Sequence, residues 1–183
     1  MQDQVREYAK ARGFHPRTLA RWLGWEPPAS AALCRLALVL KIGENHLRDL
    51  MDWLEEIALR DGRAIDTILA GRVIAAIQTD PRLGRADKLK RIKEEVRRQR
   101  FPRLAQTEDA LRARIAALKL PPEITLSAPI GLEGGRLRVE FSASSQQELK
   151  KLAAKLADAA DQQPVREAFA LLAGTGADTK TGG

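Results

Sequence analysis

Residues 5–24 read VREYAKARGFHPRTLARWLG, and Ala9, Gly13 and Leu19 fall at relative positions 1, 5 and 11. That is the spacing of a helix-turn-helix. A small residue at Ala9 lets a second helix approach closely, and Gly13 permits a tight left-handed turn. Leu19 and Trp22 are placed to pin the second helix to a core. Pro16 suits the first turn of a helix, where its missing N–H costs nothing, so the second helix is expected from about Pro16 to Leu23. Its outward side chains are then Arg17, Thr18 and Arg21, types that can bond phosphates and base edges, arginine above all to guanine. The competing reading is a plain helical hairpin that only packs.

Downstream of Glu26-Pro27-Pro28, an apolar run predicts a central core helix over about Ser30 to Leu40. Cys34 lies inside it, where a thiol without a basic neighbour reads as packing. Gly43 ends that helix, and Leu47, Leu50, Met51, Leu54 and Ile57 predict another over Glu44 to Arg60. After Asp61-Gly62, a third is expected through Ile65, Ile68, Leu69, Val73, Ile74 and Ile77, and Asp80-Pro81 closes the unit. A basic helix from Arg85 to Arg100 follows, with Leu89, Ile92 and Val96 as a narrow apolar seam that leaves the cations on its remaining faces.

The last third changes character. Thr107 is placed to cap a helix carrying Leu111, Ile115 and Leu118, which Pro121-Pro122 terminates. Ile124, Leu126 and Ala128 alternate in one strand and Leu137, Val139 and Phe141 in a second, with Gly134-Gly135 between them as a hairpin signal. Ser145-Gln146-Gln147-Glu148 is a capping-box pattern opening a helix with Leu149, Leu152 and Leu156. A short helix from Pro164 through Ala173 and a disordered tail complete the chain. The expected fold is therefore mainly α: an N-terminal helical bundle over 1–80 with the helix-turn-helix pattern, a basic helix or linker over 81–104, an α-β-β-α(α) dimerisation domain over 105–173, and a tail over 174–183.

At 183 residues and 20.2 kDa the chain has the mass to bury a core, and 44% hydrophobic with 30% charged residues is the composition of a folded protein. One cysteine excludes an internal disulfide and a multi-cysteine metal site, which favours a reducing cytoplasm. The opening MQDQVREYAK lacks the apolar core of a secretory signal, and no apolar run approaches the length of a membrane span.

The net charge of +7 is unevenly placed. Residues 82–103 hold 10 Lys and Arg against 3 Asp and Glu, so the whole excess lies in 22 residues. A second basic zone, Val5 to Gly24, carries +4, and Lys41 to Asp66 between them carries −3. Charge of this density attracts polyanions through counterion release, and nucleic acid is the commonest of them. The alternative is a solvated helix face. The acidic zone reads as facing solvent or protein, because it would repel phosphate.

The α-β-β-α order and the run GRLRVEFSASSQQELKKLAAKL at 135–156 resemble the C-terminal dimerisation domain of ParB-type partition proteins. The resemblance covers residues 105 to 160, and the remainder only by arrangement. It implies DNA binding, partition or nucleoid organisation, and self-association through Val139, Phe141, Leu149, Leu152 and Leu156. Lys150, Lys151 and Lys155 become candidates for phosphate contact. It also implies a partner ATPase. The family's N-terminal nucleotide-binding domain has no counterpart here, so nucleotide binding is not carried over.

Enzyme chemistry finds no footing in the sequence: His15 and His46 are isolated, no phosphate-binding loop is visible, and Asp49, Asp52, Glu55 and Glu56 read as a solvated face before they read as a cation site. No cofactor or metal is expected. The leading expectation is a cytoplasmic, nucleoid-associated, non-catalytic homodimer on double-stranded DNA, with no membrane association. Arg17, Thr18 and Arg21 would read the sequence, and Lys88, Arg91, Arg97, Arg98, Arg100 and Arg103 would contact phosphates. The alternative is an interaction adaptor whose basic helix binds an acidic partner. RNA ranks third, since Phe141 alone offers little for base stacking.

Overall fold

The computed structural model describes residues 2–174, which are mainly helical with one small two-stranded antiparallel sheet. The chain divides into two compact units, one ending at Pro102 and the other beginning at Arg103.

The first unit contains α1 (Gln2–Ala11), α2 (Pro16–Leu23), α3 (Pro27–Leu40), α4 (Glu44–Asp61), α5 (Ile65–Leu69), α6 (Arg72–Thr79) and α7 (Arg85–Arg100). Gly13 turns the chain between α1 and α2 at φ +66°, and Pro16 starts α2. Val5, Tyr8 and Ala9 are the buried face of α1, and Trp22 from α2 is fully enclosed. Around them close Leu33 of α3, Ile42, and the α4 stripe Leu47, Leu50, Met51, Leu54 and Ile57, with Ile68, Ile74, Ile92 and Val96 completing the core. Each such side chain stabilises the fold by about 1.5–3 kcal/mol relative to exposure, and this burial outweighs every polar contact in the unit.

Three expectations are corrected in this unit. The basic helix is not a linker: α7 packs on α3, α4 and α6 and buries Ile92 and Val96 in the common core, so the unit runs past residue 80 to 102. The single helix expected through Ile65 and Ile77 is two, because the chain turns at Ala70-Gly71; a Cβ on Gly71 would sit 3.0 Å from the Ile68 carbonyl. Helix α3 is central only on one side. It buries Leu33, Cys34, Leu36, Ala37 and Leu40 but leaves Leu38 and Val39 exposed. Burial pushes the Cys34 thiol up, away from a thiolate.

The second unit contains α8 (Pro102–Ala117), β1 (Ile124–Ser127), β2 (Arg138–Phe141), α9 (Gln146–Ala160) and α10 (Gln163–Leu172). The strands pair Ile124 with Phe141 and Leu126 with Val139, so these four residues share one face of the ribbon. Thr107 does not cap a helix. It lies inside α8, where its hydroxyl donates to the Arg103 carbonyl, because Pro102 already opens the helix. The strands are joined not by a two-residue turn at Gly134-Gly135 but by residues 128–137, irregular backbone with positive φ at Gly131, Leu132, Gly134 and Gly135. Glu108 on α8 accepts from the Gly131 N–H and holds that connection. Ser145 caps α9 by accepting from the Glu148 N–H, while Glu148 closes back on the N–H and hydroxyl of Ser144, one residue earlier than in the usual box. An Arg114–Glu167 ion pair links α8 to α10. The tail expected to be disordered lies, from residue 175 on, outside the described residues.

The Tyr8 hydroxyl is buried and lies 2.9 Å from the Ala37 carbonyl and 2.8 Å from that of Ile42, tying α1 to the end of α3. Tyr8→Phe is expected to lower unfolding free energy by about 1–2 kcal/mol in urea titration with helix content unchanged. An unshifted midpoint would show that the hydroxyl contributes nothing to holding α1.

Candidate nucleic-acid interface

Helix α2 starts at a junction built on one carboxylate. Glu44, the first residue of α4, accepts from the His15 N–H at 3.0 Å and from the Thr18 hydroxyl at 2.5 Å. His15 in turn accepts the Arg17 N–H on its Nδ1. The Thr18 hydroxyl holds the Glu44 carboxyl below its ordinary range. Thr18 is only 7% exposed and so is not an outward-facing reader, which corrects the expectation; its sequence position one residue beyond Arg17 turns it toward α4.

Arg21 is likewise engaged. Its guanidinium reaches Asp52 at 2.6 Å and grips Glu55 with Nε at 3.1 Å and Nη2 at 2.6 Å. Trp25 donates its indole N–H to the same Glu55 at 2.7 Å. Burial alone would raise the Glu55 carboxyl, but the hydrogen bonds from Arg21 and Trp25 outweigh it and the group titrates below its ordinary value. The bond to Glu55 holds the Arg21 guanidinium above its own. Of the three predicted readers only Arg17 is exposed. With Arg48 it flanks a groove of about 410 Å³ lined also by His15, Thr18, Arg21 and Glu44.

On the opposite flank of α4 the cations of α7 meet the remaining acids. Lys93 pairs with Asp49 at 2.6 Å and stands 5.2 Å from the Trp53 ring centre. Arg100 grips Glu56 with two nitrogens, and Arg60 reaches from α4 to the carbonyls of Gln99 and Arg100 at the end of α7. Lys88 donates to the Gln78 carbonyl at 2.7 Å, and Arg97 binds Glu94 at 2.8 Å within its own helix.

Lys88, Arg97 and Arg100 are therefore half-buried and occupied, contrary to a free phosphate-facing row, and Arg98 is half-buried too. Arg91 is exposed as expected, and Arg85 and Lys90 join it; these three form no salt bridge among the described residues. Asp49, Asp52, Glu55 and Glu56 keep the solvent exposure expected of them, 40–52% of each side chain, but each is also held by a cation of the same chain. The alternation of basic, acidic and basic zones along the sequence is the signal of this pairing.

In the second unit Arg103, Lys150, Lys151 and Lys155 are exposed. The predicted self-association residues separate. Val139 and Leu149 are exposed at 41% and 47%, Phe141 and Leu156 are half-buried, and Leu152 is internal, so it packs α9 onto its own unit and is withdrawn from the contact surface.

Among the described residues no group of three or more His, Cys, Asp or Glu could hold a metal ion, and no helix is long and apolar enough to cross a membrane. Comparison of the chain with protein-family models, with known proteins and with solved structures finds no match to any of them.

The pairing has a pH signature. A carboxyl whose folded value is lowered contributes stability above its unfolded value, near 4.5 for Glu55, and that contribution disappears as pH falls through the folded value. Arg21→Met is expected to lower the thermal midpoint at pH 7 by several degrees, and the gap to wild type should close as pH drops from about 5 to 3. A gap that stays constant over that range would assign the loss to packing and not to charge.

Proposed function

We propose that this chain is a non-catalytic, ParB-like DNA-binding protein that organises or partitions DNA as a homodimer, cytoplasmic and nucleoid-associated. One observation carries the reading: the acids of α4 are matched within the chain, and exposed cations are left over. The first unit has 20 Lys and Arg against 14 Asp and Glu. The remainder includes Arg17 and Arg48 beside the α2 groove and Arg85, Lys90 and Arg91 on α7, none in a salt bridge among the described residues. Cations held open to solvent by a rigid helical frame recruit phosphates with little ordering cost.

In this reading α1 and α2 act as the helix-turn-helix, with Arg17 as the residue of α2 left to touch DNA. Arg21 positions α2 through Glu55 and does not itself reach a base. Homodimerisation is supported by the thin core of the second unit. Its large buried side chains among the described residues are Leu111, Leu118, Ile124 and Leu152, and Val139 and Leu149 remain uncovered. A two-stranded ribbon is marginal alone, and a second copy would cover its open edge and its apolar face. A partner ATPase remains part of the proposal through the resemblance alone.

Anisotropy of a labelled random-sequence duplex titrated across several salt concentrations tests the proposal. Binding should weaken steeply with salt, and Lys90→Ala with Arg91→Ala should reduce the slope of log K against log salt by about 0.9 for each phosphate no longer neutralised. Arg100→Ala should instead lower stability, since it strips Glu56 of its partner. Absence of binding at low salt, or a double variant with an unchanged slope, would overturn the DNA reading. Sedimentation velocity should show a dimer that Val139→Asp with Leu149→Asp converts to monomer; a monomeric wild type would remove the self-association part.

A further inference from the structure

Helices α6 and α7 leave a groove between them whose apolar floor the DNA reading does not use, although Arg91 on its rim is shared with that reading. Its floor is apolar: Val73 and Ala76 on α6, Ile77, and Leu83 on the connection between the helices. Its rim is cationic, with Arg72 at the start of α6 and Arg91 on α7. The volume is about 320 Å³, room for a few apolar side chains but shallow for a buried small molecule. The one acid on its edge, Asp80, is already matched: Arg82 grips it with Nε at 3.0 Å and Nη2 at 2.9 Å, and the hydrogen bonds from Arg82 hold its carboxyl down to about 2. The groove therefore presents apolar surface between two guanidinium groups, Arg72 and Arg91, with Arg91 also acting at longer range on Asp80 and the rim still net cationic.

Part of that floor is left uncovered by the unit itself. Helix α6 meets the core through Ile74, fully buried, and Ile77, partly buried against it, while Val73, beside Ile74, is 51% exposed. The break at Gly71 turns α6 out of line with α5 and so presents Val73 and Ala76 outward together. An apolar channel between two packed helices is the receptor half of a helix-in-groove contact. Its charge selects the other half, because a docking helix that places carboxylates beside its apolar stripe would pair with Arg72 and Arg91, and a basic helix would be repelled.

We propose that the α6–α7 groove binds an acidic amphipathic helix of a partner protein, with apolar residues one turn apart entering over Val73, Ala76 and Ile77 and flanking carboxylates meeting Arg72 and Arg91. This gives the chain a protein-docking site separate from Arg17 and the α2 groove.

The test uses the full chain and a fluorescein-labelled sixteen-residue peptide with leucines at i, i+3 and i+4 spacing and glutamates between them. Two controls accompany it: the same composition scrambled to remove the apolar stripe, and the same stripe with lysine in place of glutamate. The acidic amphipathic peptide should bind while both controls fail. Val73→Asp should weaken it at least about tenfold, the equivalent of burying one valine side chain. Arg72→Ala should weaken it by less. Val73 is half exposed, so the thermal midpoint of the variant should match wild type; Val73→Asn, which brings no charge to Arg91, should also weaken the peptide and leave affinity for a DNA duplex unchanged. Equal binding of the scrambled peptide, or equal affinity of the Val73→Asp protein, would reduce the groove to generic attraction of anions and overturn the proposal. Capture of duplex DNA in place of the peptide, abolished in Val73→Asp, would overturn it in favour of a nucleic-acid surface. Loss of DNA binding with the peptide contact intact would sink the DNA reading and leave this one standing.

Discussion

Helix α4 turns its leucine stripe inward, and its outward carboxylates are met from two sides: Arg21 of α2 at Asp52 and Glu55, Lys93 and Arg100 of α7 at Asp49 and Glu56. The apolar core supplies the energy of the first unit, since exposed ion pairs contribute no more than about 1 kcal/mol each. What the pairs add is direction. An apolar stripe tolerates sliding and rotation of a helix, whereas a two-nitrogen grip on one carboxylate does not. Glu55 illustrates this, holding Arg21 and Trp25 together so that α2 and the chain leaving it share one anchor. Glu44 does the same at the start of α2, where His15 and Thr18 converge on it.

The same arrangement decides what remains for binding. A count along the sequence makes 82–103 the whole of the positive excess, but helical geometry divides those cations between an inner and an outer side. Arg100 and Lys93 serve the frame, and Lys88 serves the packing of α6 on α7. The outer side carries Asp87 and Glu94 among its cations, so its field is weaker than the count suggests. The surface cations are instead spread over several places, Arg17 with Arg48 and the exposed residues of α7 among them. Spread charge of this kind favours a long polyanion over a single compact anion.

Elements that announce themselves by periodicity were legible. Helix α4 follows from Leu47, Leu50, Met51, Leu54 and Ile57, and α2 from Pro16 and Trp22, because a repeat of 3.6 residues and a proline at a helix start are local facts. The break between α5 and α6 was not, since the apolar spacing continues across Gly71 and only the turn at Ile68 reveals it. The partner of Arg21 was also hidden. Its carboxylates lie more than thirty positions away, and nothing in the local pattern distinguishes an arginine that reaches solvent from one that reaches Glu55. Leu152 and Leu149 show the same limit on one helix: both look like interface residues in sequence, and only the packing of α9 separates the internal one from the exposed one.

Arg91 stands in both proposed surfaces, as an exposed cation of α7 and as part of the rim of the α6–α7 groove. A carboxylate brought by a docked helix would neutralise a charge that phosphate would otherwise use. Linkage then requires the two ligands to oppose each other, and to the same factor in either order of binding. The opposition is bounded, because Arg17 lies on α2 with Arg48 beside it and the apolar floor at Val73 takes no part in a phosphate contact. A chain built this way would loosen its hold on DNA as it engages a partner without releasing it altogether. The size of that coupling is set by one guanidinium group, not by a rearrangement of the helical frame.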